Sequence, residues 1–421
     1  MKALFLSHSN GGGGAGRATQ RLFDAIDTEQ PSIDLRMHVD FKLGDDPRIF
    51  TNTGFQDTRL KSLRINAEEV PAYVTKHVNP QLFSPGFLSS TSARRIDNLK
   101  ADLVNIHWTN FGYLSISQIG KIKTPIVWTL HDMWAFTGGM HYETESTEAG
   151  WRPSKHYSTR LDQRIKQHKL KAWKNQKITA VSPSNWLAEL AKSSEIGSNW
   201  DIRVIPNPLD LHQFAPGNKD AARRSLGIAP EANLAVVSLG GDLTDSRKGF
   251  DLLNEAIRHY LTRWPEQPME LLVVGHDTPE GNSSILPDSI TTHWLGTCND
   301  EQIVEAYAAA DIALVPSRQD NLPQTATEAI ACGVPVIAFN AGGLPDIVHS
   351  KQTGYLADAK DSQDFALGIY TLLRDKNRLV ELSKNAREHA LTRWSPEVVA
   401  AQYAELFRSV CTTGGHQSAS N

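Results

Sequence analysis

Cysteine is scarce in this chain. The three present, Cys298, Cys332 and Cys411, are too few for a disulfide framework and lack the paired spacing of a structural metal site. That usage fits a reducing compartment. Long apolar runs are missing as well: no stretch approaches the ~20 residues that cross a bilayer. Ala3-Leu4-Phe5-Leu6 gives way to polar residues far short of a signal-peptide core. An excess of either charge is also lacking. Lys and Arg number 43 against 47 Asp and Glu, a formal net charge of −4, which argues against a broad basic footprint and so against nucleic acid as a partner. Hydrophobic residues at 40% and charged residues at 21% are too apolar and too weakly charged for a disordered chain. The expectation is a soluble, cytoplasmic protein, and 421 residues suggest two to three domains.

What the chain does have is alternation. Short apolar runs alternate with longer amphipathic stretches at Lys2 to Ser7, Leu35–Val39, Leu103–Ile106, Ile126–Leu130, Ile178–Val181 and Ile202–Ile205. A second series follows at Leu234–Leu239, Leu271–Val274, Ile312–Val315 and Val334–Phe339. Short buried strands separated by helices imply parallel sheets covered on both faces. Two series predict an α/β protein of two doubly wound, Rossmann-like domains facing across a cleft. The divide falls at Pro206-Asn207-Pro208, giving domains over 1–206 and 207–395. A last helix is predicted over about 396–410, and the small, polar tail 411–421 follows it.

Gly11, Gly13 and Gly16 satisfy G-x-G-x-x-G between the first strand and a helix predicted from about Arg17 to Ile26. Glycine lets a backbone approach a ligand closely, and a helix N-terminus favours an anion, so Gly13 and Gly14 are candidate donor-binding positions. The same pattern also arises in a turn that needs only positive φ. Asp40 closes the second strand 24 residues after Gly16, roughly where the ribose-binding acid of a dinucleotide enzyme sits. His131-Asp132 ends the run Val127–Leu130, at a strand's carboxyl end, where open α/β sheets bind ligands. His131 there can hydrogen-bond a sugar hydroxyl or help remove an acceptor proton, or can simply satisfy local backbone groups. Asn105-Ile106-His107-Trp108 ends the preceding strand in the same way and carries less chemistry.

Between Lys155 and Lys177 lie eight cations against one anion, Asp162, with Leu161, Ile165, Ala172 and Trp173 near helical spacing. A basic amphipathic helix over 155–177 can lie on an anionic membrane, although a solvated helix docked by its apolar stripe has the same pattern. In the second series, Arg247 and Lys248 stand in the loop entering a helix, where a lysine point charge and an arginine fork suit a diphosphate. Strand Ile312–Val315 is followed by Asp320-Asn321-Leu322-Pro323 and then Glu328. Pro323 suits a first helical turn, which places Glu328 about one and a half turns in. An acid in the loop and an acid on the helix can each accept hydroxyls of one polyhydroxylated ligand, with helix amides between them for its phosphate. An acid near a helix N-terminus is also favoured by the dipole alone.

With these residues in view the chain resembles the retaining family 4 glycosyltransferases, which have the glycosyltransferase-B fold. The matching stretches run in family order: Gly11–Gly16, Thr129–Asp132, Val181–Ser184, Val204–Asp210, Lys248-Gly249, Asp320–Glu328 and Gly342–Val348. The family pattern has two glutamates eight apart, the first on donor-sugar hydroxyls and the second on the nucleoside ribose. The resemblance puts those roles on Asp320 and Glu328, with Asn321, Leu322 and Pro323 beside the donor. Asp for Glu shortens the reach by one methylene. Asn321 stands where the family commonly has Gly, and is tolerant of αL. The family's Arg lies five residues before the Lys, a position held here by Leu243, so Arg247 is the substitute and Lys248 the direct match. Met140 stands where a subgroup begins clustered cysteines, so no metal or disulfide is expected at that loop.

The resemblance implies a hexose moved, with retention, from a nucleotide-diphosphate sugar to a hydroxyl of a glycan or lipid-linked saccharide in surface polysaccharide biosynthesis. Lys248, Arg247 and helix amides would stabilise the departing diphosphate without a divalent metal or other cofactor. His131 would contact the sugar or acceptor, and the C-terminal helix would pack back on the first domain. A peripheral position at the inner face of the plasma membrane would follow from the basic helix. Rival readings are a non-catalytic nucleotide-sugar-binding subunit, suggested by Asp320, a sugar-nucleotide epimerase of the same fold, and an NAD-dependent oxidoreductase resting on G-x-G-x-x-G alone.

Overall fold

The structure, a computed structural model, describes residues 1–52, 58–74, 83–142, 159–239, 245–276 and 286–415. The chain divides into two compact units, Met1–Pro208 with Val399–Asn421, and Leu209–Val398.

Among the described residues, the first unit holds a seven-stranded sheet: β1 (Lys2–Ser9), β2 (Asp34–Phe41), β3 (Ile49–Phe50), β4 (Leu103–Ile106), β5 (Ile126–Thr129), β6 (Ile178–Ser182) and β7 (Asp201–Val204). Its spatial order is β3-β2-β1-β4-β5-β6-β7, every pairing parallel. The second unit holds β8 (Leu234–Ser238), β9 (Glu270–Val274), β10 (Thr291–Trp294), β11 (Ile312–Val315), β12 (Val336–Phe339) and β13 (Gly354–Ala357), in the order β10-β9-β8-β11-β12-β13. Its pairings are parallel too. Both sheets therefore share the order 3-2-1-4-5-6 in chain terms, the doubly wound order, and the first adds β7 beyond β6. In each, the chain reverses direction of travel across the sheet between the first and fourth strands. Ligands bind outside the carboxyl ends of strands at such a switch point.

Strand periodicity explains why both faces are covered. Leu4 and Leu6 of β1 enter one buried cluster, and Ala3 and Phe5 enter the other. In β8, Leu234 and Val236 pack on one face, with Ala235 and Val237 on the opposite one. Each fully buried Leu, Val or Phe contributes about 1.5–3 kcal/mol, so a strand buried on both faces is apolar throughout. The helix Pro396–Gly415 lies in the first unit from Val399 onward, where Val399, Tyr403 and Phe407 join Phe5 and Phe23 in the core.

Several boundaries differ from the sequence reading. The first helix starts at Gly13, not Arg17, and runs to Glu29, so Gly13 and Gly14 lie in its first turn. Gly16 is what permits this, because a Cβ there would collide with the Gly11 carbonyl as the turn closes. The last helix continues past 410 through Gly415, so residues 411–415 of the expected tail are helical; Cys411 Sγ packs 3.7 Å from the Met1 sulfur. Three strands without an apolar run, β3, β10 and β13, all lie at sheet edges.

Candidate functional site

In the first unit the switch point falls between β1 and β4, and the residues leaving β4 and β5 form a hydrogen-bonded series. Thr129 Oγ1 donates to Asn105 Oδ1 (3.1 Å) and lies 3.1 Å from Tyr403 Oη. That bond turns the Asn105 amide nitrogen to His107 Nε2, 3.0 Å away. An amide nitrogen only donates, so His107 Nε2 accepts and its ring proton sits on Nδ1. His107 Nδ1 then donates to His131 Nε2 (3.0 Å), which places the proton of His131 on Nδ1. Burial pushes the His131 pKa down to about 4 against the pull of Asp132, and burial drives His107 well down too. A neutral ring whose Nε2 is already accepting is a hydrogen-bond donor. Removal of an acceptor proton, one of the two roles expected for His131, would need a ring nitrogen that accepts, and Nε2 is engaged by His107.

Asp132 is a structural node. It accepts from Trp108 Nε1 (2.9 Å) and the Trp134 amide (2.8 Å), and lies 2.6 Å from His141 Nδ1. Burial favours the protonated carboxyl, but the His141 ring and these donors outweigh it and hold Asp132 below its usual range. The loop that follows is pinned by the helix Arg160–Trp173. Lys169, 0% exposed, donates to the carbonyls of Trp134 and Gly138 and stands 3.7 Å from the Trp134 ring centroid. Lys169 is thus removed from the expected basic surface, and Lys166 pairs with Glu195 at 2.6 Å. Arg160, Arg164, Lys171, Lys174 and Lys177 remain exposed; Lys155 lies outside the described residues.

Histidine-resolved NMR titration should find His131 and His107 protonated on Nδ1 at pH 7, with His131 neutral until about pH 4. The linkage has a definite sign. The unfolded chain takes up histidine protons near pH 6.5 and the folded site does not, so stability is lost as pH falls from about 6.5 toward 4. A His131 titrating at 6.5 would remove the donor assignment.

The glycine turn opens the helix Gly13–Glu29 without a side-chain cap; Gly12 has φ 69°. Gly13 and Gly14 border a cavity that also includes His8, Phe41, Trp108 and Phe111. Asp40, the candidate ribose acid, is buried, pairs with Arg64 and accepts from Ser90 Oγ (2.9 Å). Its carboxylate is engaged inside the fold, which removes the support it lent to a dinucleotide site.

In the second unit the switch point lies between β8 and β11. Residues 240–244, and with them Leu243, fall outside the described residues. Asp245 caps the turn that follows, accepting from the Arg247 amide (3.1 Å) and pairing with its guanidinium at 2.6 Å. The Arg318 amide donates to the Arg247 carbonyl (2.7 Å), and the Arg318 side chain clasps Asp251 (2.6 and 2.5 Å). These bonds bind the turn to the loop leaving β11. They bring Lys248 Nζ to 2.6 Å from Asp320 Oδ2. Asp320 is fixed from the other side, where its carbonyl accepts from the Gly343 amide (2.9 Å) and Gly342, at φ 59°, lies flat against its backbone. A Cβ at Gly342 would overlap the Asp320 carbonyl oxygen.

Asn321, tolerant of the left-handed conformation, does not adopt it; the positive φ at this turn belongs to Gly342. Pro323 precedes the helix instead of starting it; with φ −61° and ψ 119° it leads into Gln324–Ala331, whose start no side chain caps. Glu328 is 4% exposed within that helix, and Leu322 packs into the core. The structure therefore gathers Lys248, Asp320 and the uncapped helix at one switch point, and it turns Arg247 toward Asp245. Sequence reading singled out none of His8, His141 and Arg318, and it gave Lys169 to a basic surface. Of these only His8, at the end of β1 beside the glycines, carried a positional signal.

The family described as Glycosyl transferases group 1 matches residues 219–389, and that described as Glycosyltransferase Family 4 matches residues 42–213. The D-inositol 3-phosphate glycosyltransferase of Rhodococcus opacus is 33% identical over 200 residues, 45% of this chain and 44% of that protein. The Corynebacterium efficiens protein of the same description is 28% identical over 366 residues, 84% of this chain and 81% of its own. The chain thus spans about half the length of most of the curated relatives it matches. Among solved structures, sucrose-phosphate synthase from Thermosynechococcus elongatus superposes with a TM-score of 0.67 at 18% identity, covering 98% of this chain and 99% of that one. Anabaena HepE in complex with UDP-glucose gives 0.63 at 19% identity, covering 97% and 100%. The switch-point geometry, the two family matches along consecutive halves and the shared fold lead to one conclusion: the chain belongs to the family 4 glycosyltransferases, of the glycosyltransferase-B fold.

Proposed function

We propose that this protein is a retaining glycosyltransferase. It moves a hexose from a nucleotide-diphosphate sugar to a hydroxyl of a glycan or lipid-linked saccharide, in the cytoplasm and in the service of surface polysaccharide synthesis. The observation that carries the reading is the Lys248–Asp320 pair, 2.6 Å apart beside the uncapped start of Gln324–Ala331. A carboxylate and an ammonium in contact can divide one ligand between them. Asp320 accepts from sugar hydroxyls, and Lys248 meets the diphosphate oxygens with the helix amides. HepE binds UDP-glucose in a structure of the same fold, which makes a uridine donor a natural first probe.

In the reaction the bond from the anomeric carbon to the diphosphate breaks, and a bond to the acceptor oxygen forms on the same face. The acceptor proton passes to the departing diphosphate oxygen, so no side chain need remove it. Lys248 opposes the charge that develops there, which is how this site would dispense with a divalent metal. The family resemblance assigns the ribose to Glu328, and His131 would donate to a sugar or acceptor oxygen. Exposed cations of Arg160–Trp173 would give the protein a weak hold on an anionic membrane. The Asp in place of Glu is the one observation that favours a non-catalytic nucleotide-sugar-binding subunit.

Asp320→Ala separates these roles. Affinity for the nucleoside diphosphate should stay within about threefold, while the gain in affinity from the attached sugar, ordinarily about 1–3 kcal/mol for a charged hydrogen bond, is lost. Calorimetry with UDP and UDP-glucose, or with the corresponding pair for whichever base binds, reads both. Equal sugar discrimination in wild type and variant would overturn the assignment.

A further inference from the structure

The eight-residue helix Gln324–Ala331 has a second end, where the last four carbonyls lack partners inside the helix. Three are met by the chain that follows. The Glu328 carbonyl accepts from the Cys332 amide (3.0 Å), that of Ala329 from the Val334 amide (2.9 Å) and that of Ile330 from the Gly333 amide (3.0 Å). Gly333, at φ 73°, supplies the left-handed residue that turns the chain back for the last two bonds. The fourth carbonyl is met by a side chain. Arg387 Nη1 donates to Ala331 at 2.8 Å.

Arg387 stands on the helix Lys376–Arg393 and reaches a second segment as well. Its Nη1 donates to the Phe214 carbonyl (2.7 Å) and its Nη2 to that of Leu211 (2.8 Å). Both carbonyls belong to a turn stiffened by Asp210. The Asp210 carboxylate accepts from the His212 and Gln213 amides (2.9 and 3.0 Å), and its carbonyl accepts from the Phe214 amide (2.9 Å). Immediately before the turn, the Leu209 amide donates to the carbonyl of Trp394, the residue that ends Lys376–Arg393 (2.9 Å). The chain passes between the two units at 208–209 and again at 398–399. The Leu209–Trp394 bond therefore ties the incoming segment to the outgoing one. Leu209, Leu211, Phe214, Ala331, Ala390 and Trp394 also share one buried apolar cluster.

A planar guanidinium carries its donors in a fixed fork, so these three carbonyls are held in one geometry. The positive charge meets the negative end of the helix dipole, whose positive end faces the diphosphate in the transferase reading. At 1.5 Å per residue the helix is only about 12 Å long. It is one stiff element, and ordering its first turn restrains its last. We infer that Arg387 is a positioning residue that carries occupancy of the donor site to the crossing segment 209–214. Coupling between two sites is reciprocal, so the same bonds help to place the helix start for its ligand. The inference rests on the transferase reading for the identity of that ligand.

The test is amide hydrogen exchange of the full chain, free and with UDP, GDP, ADP or dTDP, whichever calorimetry finds to bind. In the wild type the ligand should slow exchange within Gln324–Ala331 and also, at least about fivefold, at Leu209 and Phe214. In Arg387→Met the helix should still gain protection, while the ligand-dependent change at Leu209 and Phe214 disappears. Arg387→Lys keeps the charge without the fork and should lose that change too, which covers the case of a methionine variant that fails to fold. A merely structural Arg387 would give faster exchange in the free variants and leave the ligand-dependent change intact, and that result overturns the inference. So does a wild type in which the ligand protects the helix and not Leu209. Calorimetry reads the transferase assignment separately: no heat with any of the four diphosphates refutes both, whereas binding without a response at Leu209 refutes the coupling alone.

Discussion

Lys248→Ala is expected to lower the rate of sugar transfer about 100- to 1000-fold, with the KM for the nucleotide sugar moving by no more than a few-fold. The magnitude is that of removing one preorganised donor from a developing oxyanion. The asymmetry follows from when the charge appears. Ground-state diphosphate is already stabilised by solvent and by helix amides, while the extra charge of the departing group arises only in the transition state. Lys248 is half-exposed in the free protein and pairs with Asp320, so its removal takes the cation from a largely buried carboxylate, and the melting curve reads that cost apart from the loss of rate. Steady-state kinetics with a melting curve decide the matter. A variant that melts normally and turns over at the wild-type rate would show that Lys248 does not serve the leaving group.

Gly342→Ala is expected to be as damaging by another route. The position lies 22 residues from Asp320 in sequence, yet its backbone, at φ 59°, is pressed against that of Asp320. A methyl group there meets backbone atoms that no rotamer can move, and alanine also resists the left-handed conformation. The combined cost is on the order of 3 kcal/mol in stability. If the chain yields by moving the Asp320 loop, displacement of about 1 Å would cost about 100-fold in turnover. The same substitution at Gly14, which has nothing within 4 Å and no positive φ, should be tolerated far better in stability. Equal melting points and equal rates for the two variants would mean that the Gly342 contact does not hold Asp320.

The β1-β2-β4-β5 and β8-β9-β11-β12 cores were legible because they are buried on both faces and so read as continuous apolar runs. Edge strands, β7 excepted, escape that signal. Thr291–Trp294 and Gly354–Ala357 each pair on one side only, and Thr-Thr-His-Trp carries no apolar run. The Asp320–Glu328 motif was legible as a string because its residues are close in sequence and lie beside a strand end. Its mode of assembly was not. The turn holding Lys248 and the loop holding Asp320 meet through Arg318 and Asp251, a pairing of residues 67 apart that no periodicity announces. The His131 tautomer is set by Thr129, Asn105 and His107, residues spread over two strands, and composition gives no hint of it. Lys169 shows the opposite failure. It belongs to a basic sequence pattern, yet one turn of a helix separates an exposed cation from one buried under Trp134.

The central claim is that the Lys248–Asp320 switch point is a donor-sugar site in a working transferase. A thermal-shift and diphosphate-release screen of the purified chain against UDP-, GDP-, ADP-, dTDP- and CMP-sugars, with NAD as control, tests it most directly. Ligand at 100 times its Kd stabilises a fold by about 2.7 kcal/mol, which a melting curve resolves easily. One nucleotide sugar is expected to raise the melting temperature, with slow release of its nucleotide accompanying the shift, and NAD is expected to do neither. A shift with NAD alone, or a nucleotide sugar that binds and is never cleaved even with pyranoside acceptors present, would contradict it.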